Sequence, residues 1–201
     1  MPSTPSERAG VVTGADGLAR CSWSDGSDDY RSYHDAEWGR PVRGDVSLFE
    51  RLTLEAFQSG LSWLTILRKR EGFRAAFRGF DPLAVSAFGE VDVQRLMGDT
   101  GIVRNRRKID ATVVNAQALL LLQERHGEGA LDRLFWSFAP APRQRPRSLA
   151  QVPATTAESV ALSRALKAAG FVFVGPTTMY AAMQACGLVD DHVEGCHVDR
   201  D

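Results

Sequence analysis

The 201-residue chain is 44% hydrophobic and 24% charged with a formal net charge of −1, which suits one globular domain or two small lobes. It has no apolar run near the ~18 residues needed to cross a bilayer and no signal-peptide pattern at its start, so a soluble cytoplasmic protein is expected. Near-neutrality excludes a surface that is basic throughout, yet Lys and Arg outnumber Asp and Glu by 10 to 6 over residues 61–110, against 4 to 8 over residues 21–60.

In chain order, residues 1–20 are rich in Ser, Thr, Pro, Gly and Ala without amphipathic period and read as a disordered extension. Ser47 and Glu50 have capping-box spacing, and the helix they open places Leu48, Phe49, Leu52, Ala56 and Phe57 on one side until Gly60. Ser62 caps a second helix with Trp63, Ile66, Leu67 and Phe73 on its apolar stripe. Asp81-Pro82 opens a short helix, another spans about Val91 to Met97, and a longer one runs from about Asn105 to Glu124. Pro140–Pro146 is a surface link. Thr155 and Glu158 form a second capping box for a helix ending at Gly170, and a last helix runs from Pro176 to Gly187. Phe171-Val172-Phe173-Val174 has no partner run and is expected to be a buried connector. The fold class is therefore all-α.

Three constellations carry chemistry. The three cysteines, an odd count for a cytoplasmic chain, favour metal ligation or burial over a disulfide framework. Cys21 and His34 lie near the start of the ordered chain, and His192 and Cys196 near its end, with His197 as a rival ligand. Two thiolates and two imidazoles suit tetrahedral Zn²⁺, and a closed set of four makes such a site structural. Cys186, in an apolar helix, reads as a small buried hydrophobe. Next, residues 98–108 combine a helix end, a turn containing Gly101, and a basic helix start with Arg104, Arg106 and Lys108. Amides and cations at such a corner grip an anion, as a hairpin holding a DNA backbone does. Finally, Trp23, Tyr30, Tyr33, Trp38 and Trp63 accompany Glu55 at the margin of its helix's apolar stripe. A carboxylate facing aromatic rings is a receptor for a flat cation such as an alkylated purine.

Together these residues resemble bacterial 3-methyladenine DNA glycosylase I of the helix-hairpin-helix superfamily. The resemblance rests on CSW at 21–23, YHDAEWG at 33–39, SGLSWLTILRKRE at 59–71, GIVRNRRKI at 101–109 and GFVFVGPTTMYAAMQACGLVDDH at 170–192. It covers about residues 20–197. It implies a helix-hairpin-helix glycosylase domain over 21–197, of two helical lobes, with a central part at 61–137, a hairpin at 98–108 and a tail at 198–201. It implies zinc ligands at Cys21, His34, His192 and Cys196, and a base pocket of Trp23, Tyr30, Tyr33, Glu55 and Trp63 in which Glu55 is catalytic. DNA contacts would come from Gly60, Gly101, Arg104, Arg106 and Lys108, with Leu61 as the wedge filling the gap left by an extruded base. Phe57 is bulkier than the family pattern suggests, so an altered pocket rim is expected.

The resemblance thus implies a monomeric base-excision repair enzyme that hydrolyses the N-glycosidic bond of 3-methyladenine in double-stranded alkylated DNA by base flipping. Related glycosylases carry an Asp beyond the hairpin, yet none occurs here between Asp110 and Asp132. Lys108 reads as a phosphate contact rather than an imine-forming amine, so no lyase activity is expected. A non-catalytic binder of alkylated DNA and a zinc-dependent hydrolase with an open metal position are the alternatives.

Overall fold

The computed structural model describes residues 10–199. It is mostly helical, with a two-stranded hairpin at its start that corrects the all-α expectation. Strands β1 (Val11–Thr13) and β2 (Ala19–Cys21) pair antiparallel, with Val11 opposite Cys21. The reading of residues 1–20 as disordered therefore fails for residues 10–20; residues 1–9 lie outside the described residues. Composition missed the hairpin because long-range contacts order it. The Arg20 guanidinium is buried between Asp16 at 2.7 Å and Asp35 at 2.8 Å, and the His197 amide donates to the Ala19 carbonyl.

Nine helices follow among the described residues: α1 (Asp28–Ala36), α2 (Asp45–Gln58), α3 (Trp63–Ala76), α4 (Pro82–Ser86), α5 (Glu90–Gly98), α6 (Arg106–His126), α7 (Ala130–Trp136), α8 (Ala157–Ala168) and α9 (Pro176–Ala185). Ser27, Ser62, Asp81, Asn105 and Thr156 each cap a helix by accepting an amide hydrogen bond on the side chain. Of the two expected capping boxes, the first does not form and the second shifts by one residue. Helix α2 begins earlier, after Gly44, and the Glu50 carboxylate instead reaches Arg74 on α3. In α8 the reciprocal pair is Thr156 with Ser159 rather than Thr155 with Glu158.

Helix α2 is central. Both of its faces are largely buried, and it packs on α3, α6, α7 and α9 around one continuous apolar core. Its first residue, Asp45, accepts hydrogen bonds from Gln123 Nε2 and from the Gly129 and Asp132 amides, so a carboxylate caps the start of α7 and ties it to α6. Phe57 is fully buried against Phe73 and Phe77 in this core, which removes it from the pocket rim. In the connector before α9, Phe171 and Val174 are buried, whereas Val172 and Phe173 reach solvent. No helix of the described residues is long and apolar enough to cross a membrane.

Candidate active site and metal centre

The chain's two ends meet at Cys21, His34, His192 and Cys196, whose ligand atoms all lie within 4.8 Å of one another and are all buried. Cys196 Sγ stands 3.4 Å from His34 Nε2 and 3.6 Å from His192 Nδ1, and Cys21 Sγ 3.8 Å from His192 Nδ1. Metal–sulfur and metal–nitrogen bonds of about 2.3 and 2.05 Å at tetrahedral angles put S and N about 3.6 Å apart, so the spacing fits one tetrahedral ion.

The outer partners of this group are in place. His34 Nδ1 meets the Asp35 carboxylate at 2.8 Å, and His192 Nε2 lies 3.3 Å from the Trp38 carbonyl, which orients each ring for ligation through its other nitrogen. His197, the rival ligand, instead places Nε2 on Asp35 at 3.1 Å. The segment just after Cys196 is packed at this group. Val198 is buried beside Cys21 and Val193, and Arg145 donates to the Val198 carbonyl. This corrects the expectation of a tail from residue 198; residues 200 and 201 lie outside the described residues.

Beside the metal group opens a cleft of about 360 Å³. All five residues assigned to the base pocket line it: Trp23, Tyr30, Tyr33, Glu55 and Trp63. Trp23 joins the two sites, its ring centroid 5.3 Å from that of His34 and 5.8 Å from that of Tyr30. Tyr30 Oη accepts the Leu64 amide and so fixes the first turn of α3, on which Trp63 sits. The Tyr33 and Trp63 rings are tilted by 44° to each other, 5.3 Å between centroids.

Glu55 is only 5% exposed and accepts no hydrogen bond from any described residue. Burial pushes its carboxyl up to about 8, against the pull of the Arg51 guanidinium. Trp63 Nε1 is likewise buried without a partner. An acid and a donor left unbonded in an aromatic cleft are poised for a ligand that supplies their partners.

The sequence reading missed Gln58, Ala181, Gln184 and Asp191, which also line the cleft, along with Leu149 and Val152. Spacing could have offered Gln58, one turn beyond Glu55, and the pair Ala181/Gln184 on one face of α9. Asp191 is fully engaged by Tyr180 Oη at 2.6 Å, Gln184 Nε2 at 2.9 Å and the Arg143 guanidinium. It anchors the segment that carries His192.

The expected DNA-contact residues divide. Leu61, 42% exposed, sits at the tip of the α2–α3 loop beside Gly60, whose φ of +82° makes the turn. Arg104 is exposed on the loop joining α5 to α6. Gly101 packs so closely on Gly72 of α3 that a Cβ on Gly72 would lie 2.4 Å from the Gly101 carbonyl oxygen. Arg106 is exposed but paired with Glu90 and Asp110. Lys108 is a correction: it is 8% exposed, and its ammonium donates to the Phe57 carbonyl at 2.8 Å and the Ser59 carbonyl at 2.6 Å. It therefore closes the C-terminus of α2 and holds the Leu61 loop from within.

The sequence matches the methyladenine glycosylase family over residues 23–199. It is 49% identical over 181 residues to DNA-3-methyladenine glycosylase 1 of Escherichia coli (strain K12), covering 89% of this chain and 96% of that one. It is 46% identical over 180 residues to DNA-3-methyladenine glycosylase of Haemophilus influenzae, covering 88% and 96%. A crystal structure of 3-methyladenine DNA glycosylase I matches with a TM-score of 0.85 at 46% identity, covering 90% of this chain and 100% of that chain. A structure on 3-methyladenine recognition by the Staphylococcus aureus enzyme matches at 0.84 and 34% identity, covering 90% and 97%. An aromatic cleft around an unbonded acid, set beside joined chain ends, thus occurs in a fold and a sequence shared with these enzymes, and the chain belongs to the methyladenine glycosylase family.

Proposed function

We propose that the protein is a monofunctional DNA glycosylase of base-excision repair that hydrolyses the N-glycosidic bond of 3-methyladenine in double-stranded alkylated DNA. The observation that carries this reading is the buried, unbonded Glu55 carboxyl walled by Tyr33 and Trp63. Methylation at N3 makes the base cationic, so it is already a good leaving group. The rings supply π faces and Glu55 the countercharge and a hydrogen-bond acceptor. The C1′–N9 bond breaks with its electron pair going to N9, neutral 3-methyladenine leaves, and water adds to C1′ and gives up a proton. Binding and orientation are enough for so labile a bond.

A base stacked in duplex DNA would reach this cleft by flipping out of the stack, at a cost of a few kcal/mol that is least for a damaged base. Leu61 would fill the gap, while Gly60, Gly101, Arg104 and Arg106 would face the backbone around a helix-hairpin-helix formed by α5 and α6. Among the described residues no lysine lines the cleft, which argues against an imine and hence against strand cleavage. The ion of the metal group would be a structural Zn²⁺ held by Cys21, His34, His192 and Cys196. Four protein ligands leave no open position for a hydrolytic water, against a zinc hydrolase. The enzyme would act as a cytoplasmic monomer.

The deciding experiment is release of free 3-methyladenine from methylated duplex DNA by the wild type, Glu55→Ala and Leu61→Gly. The wild type is expected to release the base without nicking the strand. Glu55→Ala should lose on the order of 10²-fold, and Leu61→Gly should lose activity on duplex but not on single strands. DNA binding without base release would overturn the enzyme in favour of a binder. An equal loss for Leu61→Gly on both substrates would remove the wedge.

A further inference from the structure

Arg51 precedes Glu55 by one turn on α2, so their side chains are neighbours on one face. It is 9% exposed, an unusual place for a guanidinium. Its Nη2 donates to Glu37 Oε2 at 3.0 Å, and its Cζ lies 5.9 Å from the centroid of the Tyr33 ring, which lines the cleft. Its Nη1 is buried with no hydrogen-bond partner. Glu37 is shared, since Arg70 of α3 donates to its Oε1 at 2.9 Å. Arg51, Arg70 and Glu37 together carry one net positive charge, which an ionised Glu55 balances.

We propose that Arg51 is a positioning residue that acts through Glu55: its buried guanidinium supplies the charge that lets Glu55 give up its proton as a cationic base enters the cleft. This rests on the proposed excision of an alkylated base. A desolvated carboxyl left alone binds a proton and then offers a cation no countercharge. The other groups around Glu55 do not replace Arg51. Tyr33 of α1 is a phenol that burial holds neutral, and the Cys186 thiol at the end of α9 is pushed up to about 12 by burial. Asp191 is engaged by Arg143, Tyr180 and Gln184, and the ammonium of Lys108 on α6 is engaged by two carbonyls. On α3, Trp63 carries no charge and Arg70 is bound to Glu37.

The test titrates the Glu55 carboxyl by carbon NMR in wild type, Arg51→Met, Arg51→Lys and Glu37→Gln, alongside kcat/KM for 3-methyladenine release from pH 6 to 10. Arg51→Met should raise the titration midpoint by a pH unit or more. Its kcat/KM should fall tenfold or more at pH 7 but stay within threefold of wild type at the alkaline limit. Arg51→Lys should keep the wild-type midpoint, and Glu37→Gln, which frees Arg51 from its partner, should lower it. An unshifted midpoint in Arg51→Met, or an equal activity loss at every pH, overturns the role. Should Arg51→Met not fold, an unchanged or raised midpoint in Glu37→Gln does the same. Shifted titrations without base release in any variant would sink the glycosylase reading and leave the Arg51–Glu55 coupling standing.

Discussion

Replacing Glu55 by Gln should make the protein more stable as it removes activity, and the gain should grow with pH. In the folded chain the Glu55 carboxyl is pushed up to about 8 by burial, from an ordinary value of 4.5. Between those values the folded state holds a proton that the unfolded state has released. Stability therefore falls as pH rises through this window, and the loss is complete above pH 8. At 1.36 kcal/mol per unit, the wild type forfeits about 1 kcal/mol at pH 5.5, about 3 kcal/mol at pH 7 and about 5 kcal/mol at pH 9. The amide of Gln has the shape of the protonated acid and no charge, so Glu55→Gln escapes this loss. Urea unfolding of both proteins across that pH range measures the difference directly, because the other titrating groups cancel in the comparison. A stability difference that does not change with pH would refute the reasoning, since it would mean that Glu55 reaches water in the folded state.

Two other perturbations address the framework. Stripping the proposed Zn²⁺ with a strong chelator, or Cys196→Ala, should cost at least about 3 kcal/mol and raise hydrogen exchange in the hairpin at residues 10–21, because the candidate ligands join that hairpin to residues 192–196. One equivalent of Zn²⁺ should restore the wild type, and unchanged stability without metal would show that the group is packed without needing an ion. Lys108→Met should lose two hydrogen bonds from a charged donor, about 3–5 kcal/mol in all, and slow excision by loosening the Leu61 loop. The salt dependence of its DNA binding should not change, whereas a slope reduced by about 1 would restore Lys108 as a phosphate contact.

Much of the candidate site was legible because its chemistry depends on residue type. The four candidate metal ligands are soft donors gathered at two ends of the sequence, and the rings around Glu55 are close in sequence to Cys21 and His34 or to Glu55 itself. Helix starts were legible where a capping residue stood alone, as at Ser62, Asp81 and Asn105. They slipped at Ser47 and Thr155, where more than one residue could cap and distant partners chose: Glu50 goes to Arg74 on another helix.

The hairpin at residues 11–21 was invisible to composition, because three-residue strands gain little by themselves and are held by Asp35 and His197 far along the chain. Lys108 shows the same limit in a single side chain. Its sequence context, Arg-Arg-Lys at the start of a helix, is that of a phosphate contact, and only the packing of α6 against α2 turns its ammonium inward. The sequence by itself determined which groups are available: the soft ligands, the rings and the acid. Tertiary structure alone decided their state, leaving Glu55 buried and unbonded one turn from Arg51 while engaging Asp191 and Lys108, because protonation and hydrogen bonding depend on what lies across space.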